Sequence, residues 1–260
     1  MKLFLRLSYL GTAYNGYQVQ VDQPTVQREL TRACAELFGE RCDIVGCSRT
    51  DSGVHANMFC VTVASRETNQ LNTAIPVQRI PLALNAHLPD DISVYYAAFV
   101  SDEFHPRYDV KYKEYVYRIY NSPTRSPFEL DRAWHYPKII DEQALANMKK
   151  AAQYYCGTHD FTSFMAQGAT VAHAVRTVMH ARVERIGDVI EFRVAADGFL
   201  YNMVRIMTGT LIAVAEGKIP CDKIPEVIDA KDRAAAGMTA PAHGLYLNAV
   251  VYESIPEETL

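Results

Sequence analysis

Lys113-Glu114-Tyr115-Val116-Tyr117-Arg118-Ile119-Tyr120 is the stretch from which the architecture can be read. Tyr115, Tyr117 and Ile119 fall on one side and Glu114, Val116, Arg118 and Tyr120 on the other, the period of two that marks a strand. The chain carries similar patterns on both sides of it. Upstream, Leu3, Leu5, Leu7 and Tyr9 alternate with Lys2, Phe4, Arg6 and Ser8, which predicts a half-buried strand over 3–9. A glycine-containing loop leads to Pro24-Thr25 and a helix carrying Val26, Leu30, Ala33 and Leu37 on one stripe, with Gly39 as its stop. Strands are expected at 42–48, 57–65 and Ile92–Val100, with a short helix from Pro81 to Leu88. Downstream come a helix over Asp141–Tyr155, a hairpin of Arg176–Arg185 and Asp188–Ala196, a long helix over Phe199–Gly217 and a last strand at Leu245–Tyr252. The β-α-β theme thus occurs twice. It predicts an α+β chain in two halves, 1–104 and 105–260, joined near Phe104–Tyr112 without a low-complexity linker. The tail Glu253–Leu260 is expected to fray.

Composition narrows the function classes. With 49% hydrophobic and 22% charged residues the chain can bury a large core. No apolar run reaches the roughly 20 residues a membrane helix needs, and no signal peptide precedes the first strand, so a cytoplasmic protein with no membrane partner is expected. The six cysteines, Cys34, Cys42, Cys47, Cys60, Cys156 and Cys221, form no C-x-x-C pair and read as reduced thiols. The eight histidines have no metal-ligand spacing, and no glycine-rich phosphate loop is present. Neither metal nor cofactor is expected. A net charge of −4 does not advertise a nucleic-acid binder. Phosphate contacts are local, however, and Arg107, Lys111, Lys113, Arg118, Arg125 and Arg132 form a basic run without equal acid density along the chain.

Three segments carry chemistry. In Gly46-Cys47-Ser48-Arg49-Thr50-Asp51-Ser52-Gly53-Val54-His55-Ala56, a carboxylate sits in a tight turn between two strands. Arg49 is close enough along the chain to pair with Asp51, and such a carboxylate can serve as nucleophile or base; an ordinary Asx turn beside a surface arginine is the plainer alternative. Tyr115 and Tyr117 read either as strand-forming aromatics or as a platform for an unstacked base. Arg205 stands on a helix apolar almost all round, where a charge either reaches solvent or meets a carboxylate.

The string Arg49-Thr50-Asp51-Ser52-Gly53-Val54-His55 resembles the catalytic Asp motif of the TruA-type tRNA pseudouridine synthases. Tyr115-Val116-Tyr117-Arg118-Ile119-Tyr120-Asn121 resembles that family's second motif, and Gly198-Phe199-Leu200-Tyr201-Asn202-Met203-Val204-Arg205 the motif supplying an arginine. Further likenesses, in the family's order, lie at Tyr9–Gln18, Leu84–Ile92, Phe104–Tyr108, Gly157–Phe164, Val175–Thr177 and Ala240–Leu245. Tyr17 stands where the family commonly has Trp, and Cys47-Ser48 replaces the usual Ala-Gly.

The resemblance implies isomerisation of uridines 38 to 40 in the anticodon stem-loop of tRNA by a cofactor-free homodimer with tRNA as its partner. The reaction breaks the N1–C1′ bond, turns the uracil and joins C5 to C1′. It implies Asp51, Arg49, Tyr115 and Arg205 as catalytic residues: Asp51 attacking C1′ or C6 or taking a sugar proton, Arg49 filling the space the nucleotide leaves, Tyr115 against the uracil, and Arg205 paired with Asp51. Substrate contacts are expected from Tyr115, Tyr117, Arg107, Lys111, His55 and His159, with positioning of the Asp51 loop as the alternative for His55 and a backbone contact for His159. The fold expected is a pair of ferredoxin-like α/β repeats sharing a mostly antiparallel sheet, with helices on one side and a central positively charged cleft. Other readings are a pseudouridine synthase with another RNA target, a non-catalytic RNA-binding paralogue, and a carboxylate-dependent glycosidic hydrolase. The last needs a second carboxylate about 5–10 Å away, which no motif nominates.

Overall fold

The computed structural model describes residues 1–168, 173–253 and 255. Most of the expected frayed tail lies outside the described residues. Contacts divide the chain into two units: one runs from Met1 to Lys111 and takes back the chain from Tyr246, and the other is Tyr112–Leu245.

The first unit begins with β1 (Lys2–Tyr9), α1 (Val26–Phe38), β2 (Cys42–Gly46), β3 (His55–Ser65), α2 (Ile80–Asn85) and β4 (Ile92–Val100). β1 lies between β3 and β4, antiparallel to both, and β2 pairs antiparallel with the far end of β3. The expectation of a half-buried β1 is corrected here. Leu3, Leu5 and Leu7 are inaccessible, but so is Phe4, whose ring meets Tyr96, Phe104 and Tyr252 edge-on. Arg6, on the same face, is covered by the Tyr96 ring at 4.8 Å. An aromatic cluster therefore closes the face that alternation alone assigns to solvent. α1 buries Val26, Leu30, Ala33 and Cys34 and ends at Gly39, whose φ of 70° is the left-handed value favouring glycine at a helix stop.

The second unit is built from β5 (Val110–Tyr120), β6 (Trp134–His135), α3 (Glu142–Gln153), β7 (Gly157–Asp160), β8 (Val175–Ile186), β9 (Val189–Ala196), α4 (Met203–Ala215) and α5 (Ile224–Asp229). Its strands run β5-β9-β8-β7, every neighbour antiparallel, with β6 added parallel to β5. Asp141 caps α3, its carboxylate accepting the Ala144 N–H at 2.8 Å. α3 and α4 pack together, and α4 is buried at ten of its thirteen positions. The long helix expected from Phe199 starts later, at Met203, because Asn202 takes a φ of 60° that the helix cannot continue through. Gly209 is the close-approach point of α4: a Cβ there would lie 1.8 Å from the Met238 carbonyl oxygen.

The last strand, β10 (Leu245–Tyr252), returns to the first unit and runs parallel to β3, Tyr246 opposite His55. A cut at 104/105 assigns this strand to the second half; its pairing with β3 lies in the first. The α+β class and the predominance of antiparallel pairing agree with the sequence reading. Among the described residues no helix is long and apolar enough to cross a membrane.

Candidate active site

Asp51 sits in the connection from β2 to β3, and the antiparallel ladder fixes both ends of it. The register runs to Gly46 opposite Val61 and continues with Cys47 N–H donating to Cys60 O at 2.9 Å. Beyond it Val54 N–H donates to Asp51 O at 3.1 Å, closing a turn in which Gly53 takes a φ of 78°.

The N-terminal loop clamps this turn from the side. Tyr17 N–H reaches Thr50 O at 3.2 Å, and Gly53 N–H and Ser52 Oγ both reach Tyr14 O at 3.3 Å. Tyr9 and Thr50 join hydroxyls at 2.8 Å, and the Tyr14 hydroxyl donates to Asp91 Oδ1 at 2.6 Å. Two glycines make the approach possible. A Cβ on Gly11 would sit 2.0 Å from Val54 O, and one on Gly16, at φ 83°, would sit 2.4 Å from Thr50 O. The family-like pattern Tyr9–Gln18 is thus the mould of the Asp51 loop, a role its sequence does not announce.

Arg49 is exposed, and its guanidinium makes no ion pair with a described carboxylate, Asp51 included. Local pairing of Arg49 with Asp51 is therefore not the arrangement adopted. Cys47 is fully buried, with its Sγ accepting the Cys60 N–H at 3.4 Å, so it packs beneath the loop. His55 corrects an expectation. It is inaccessible, accepts the Gly11 N–H on Nδ1 at 2.9 Å and stacks on Tyr246 at 4.6 Å. It anchors the loop from the buried side. Arg107 is exposed, and Lys111 is 3.6 Å from Glu253 in an exposed pair of little energetic weight.

In the second unit, Tyr115 lies on β5 opposite Val194, 7% exposed, with the Phe199 ring edge-on at 4.9 Å. Tyr117, two residues on, is fully buried. Its hydroxyl donates to Pro241 O at 2.7 Å, and a Cβ on Gly244 would collide with its ring. Tyr117 is a core residue locking the 241–244 turn, which removes it from the substrate contacts, and burial raises its hydroxyl pKa far above that of a free phenol. His159 Nε2 lies 2.9 Å from Cys156 O, a backbone contact within its own turn. Arg118 is not an uncompensated cation: Glu129 and Glu191 approach it at 3.4 and 3.7 Å. The second of these acids comes from β9, far away in sequence, which is why the run of bases looks unmatched along the chain.

Arg205 is half-buried on the first turns of α4 and is held at two points within its unit. Nε donates to Ala240 O and Nη1 to Asn202 Oδ1, each at 2.7 Å, while Ala240 N–H returns to Arg205 O at 3.1 Å. Asn202, the residue that breaks the expected helix, is thereby the arginine's guide, and only its tolerance of a positive φ hints at it in sequence. His243 lies in the turn after Ala240. Its pKa is lowered, first by burial and then by the positive field of Arg205, with Asp131 opposing. A histidine favoured neutral in the fold contributes stability above its ordinary value near 6.5, lost as pH falls below it. Thermal midpoints measured across that window are expected to fall on acidification, and to fall less steeply in His243→Asn.

Among the described residues no group of three or more His, Cys, Asp or Glu could hold a metal ion. The geometry provides a clamped turn carrying Asp51 in one unit and a braced guanidinium near a tyrosine strand in the other.

Comparison with known proteins is specific. The family described as tRNA pseudouridine synthase matches residues 7–109 and 151–253. A protein named tRNA pseudouridine synthase A from Thermoanaerobacter sp. (strain X514) is 45% identical over 248 residues, covering 95% of this chain and 97% of that protein. Proteins of the same name from Bacillus licheniformis and Bacillus subtilis are 44% and 42% identical, each aligned over 98% of this chain and 100% of its own length.

Proposed function

Since the chain belongs to the tRNA pseudouridine synthase family, we propose that it isomerises uridines 38, 39 and 40 in the anticodon stem-loop of tRNA, with Asp51 as the essential carboxylate. The observation that carries this reading is the Asp51 turn itself. Two strands and a moulded N-terminal loop hold its backbone in one conformation. Both Asp51 and Arg205 fall inside the stretches that match the family.

The chemistry comes from what an isomerisation of a base must do. The nucleotide leaves its stack, at a cost of a few kcal/mol, which phosphate contacts by Arg49 and Arg107 help offset. Asp51 enables the N1–C1′ bond to break, with Arg205 as the second charged group of the chemistry. Tyr115 holds the detached uracil while it turns. C5 then bonds to C1′, its proton passes to solvent and N1 takes one up, so the net composition is unchanged and no redox partner is needed. We take the protein to act as a cytoplasmic homodimer, as the family resemblance implies; two modest phosphate-binding surfaces then combine into one larger one.

Mapping pseudouridines in tRNA from a strain lacking this chain tests the assignment. Loss at positions 38 to 40 is expected, with restoration by the intact gene. Loss elsewhere with those positions intact would point to a different RNA target.

A further inference from the structure

Beside the Asp51 turn the first unit carries a cleft of about 230 Å³, walled by Gln18, Gln27, Arg49, His105, Arg107 and Tyr108. Asp51 is not among the lining residues. The Tyr108 ring is the unusual member. It is 75% exposed, and nothing in the core requires it. Yet it is far from loose, because its inner face stacks on His105 at 4.3 Å with 31° between the rings.

The segment carrying both rings is tied down along its length. His105 N–H donates to Asp109 Oδ2 at 2.8 Å, and Arg107 N–H donates to His105 Nδ1 at 3.1 Å. Tyr108 and Asp109 N–H both return to His105 O, and Pro106 O accepts the Tyr252 hydroxyl at 2.7 Å. The opposite wall is equally fixed. Gln27 spends its amide on both sides, accepting from Val19 N–H at 3.0 Å and donating to Ile44 O at 2.9 Å. An aromatic face is thus presented to solvent in one orientation, so little side-chain freedom is lost when a ring lands on it.

Charge completes the site. The Arg107 guanidinium lies 6.0 Å from the Tyr108 ring centroid. Among the described residues neither Arg107 nor Arg49 has a carboxylate partner. A rigid exposed aromatic ring flanked by two uncompensated guanidiniums is the chemistry of a single-stranded nucleotide, with the base on the ring and phosphates at the cations.

We propose that this cleft is a second nucleotide subsite, separate from the position of the reacting uridine. It receives one unstacked base of the RNA on Tyr108, and the flanking phosphates meet Arg107 and Arg49. The source of that nucleotide rests on the reading of the protein as a tRNA-modifying enzyme.

Equilibrium binding of an unmodified tRNA transcript, measured over a series of salt concentrations, tests it. Removing a stacking partner should weaken binding about tenfold in Tyr108→Ala at every salt concentration, with the salt slope unchanged. Tyr108→Phe should restore the affinity, because stacking needs the ring and not the hydroxyl. Arg107→Ala should instead flatten the salt slope by about one phosphate contact. Wild-type affinity in Tyr108→Ala, equal weakness in Tyr108→Phe, or no tRNA binding by the wild-type protein would each overturn the proposal. Binding is read without turnover, so the two readings fail separately. A protein that binds through Tyr108 but isomerises nothing keeps the subsite and loses the function. One that isomerises normally and ignores Tyr108 does the reverse.

Discussion

Asp51→Asn is expected to abolish turnover, lowering kcat by roughly 10⁴-fold or more, while the fold and most of the tRNA affinity survive. The fold survives because the turn is closed by Val54 N–H on Asp51 O and clamped through Thr50 O, contacts that belong to the backbone. Asn serves in such a turn as well as Asp does. Affinity survives because RNA binding is carried by cations meeting phosphates, and those cations are unchanged in the variant. What is lost is the ionised oxygen, which an amide cannot replace as nucleophile or base. Single-turnover kinetics and tRNA binding on the same preparation check the two halves of the statement. Turnover within tenfold of wild type would remove Asp51 from the chemistry.

Arg205→Lys is expected to lower kcat by about 100-fold although it conserves charge. The guanidinium spans two fixed acceptors, Ala240 O and Asn202 Oδ1, and these set the direction of the whole planar group. A lysine ammonium is a single point on a flexible stem and cannot satisfy both acceptors while holding the same orientation. The loss should fall on kcat more than on KM, as the proposed part of Arg205 in the chemistry requires. Asn202→Ala, which removes one guide and leaves the arginine, should fall between wild type and Arg205→Lys. A kcat for Arg205→Lys equal to wild type would show that charge alone suffices.

The parts of the fold legible in sequence are those whose periodicity is local. β5, α1, α3 and the β8–β9 hairpin are all readable from alternation or from a stripe and a cap. The two-residue β6, the four-residue β7 and the six-residue α5 are not, because one or two periods carry little signal. Alternation also says which residues share a face but not what covers it. That is why Phe4 and Arg6 prove buried, and why Tyr117 belongs to the core although it shares a face with Tyr115.

Within the candidate site, the turn chemistry of Asp51-Ser52-Gly53 is visible in sequence, but the mould around it is not. Gly11 and Gly16 matter because Val54 O and Thr50 O come within a Cβ radius of them, a fact created by tertiary approach. His55 is the opposite case: its place four residues after Asp51 already offers the loop-positioning role that the Gly11 contact gives it. The Tyr108 platform depends on a tight turn placing His105 behind the ring, which no pattern in Phe104–Tyr108 specifies.

The most direct measurement is tritium release from tRNA labelled at C5 of uridine, run with the wild-type protein and with Asp51→Asn. The account predicts release by the wild type in step with pseudouridine formed, since C5 must lose its hydrogen to join C1′, and none by the variant. No release by the wild type, or equal release by both, would contradict it.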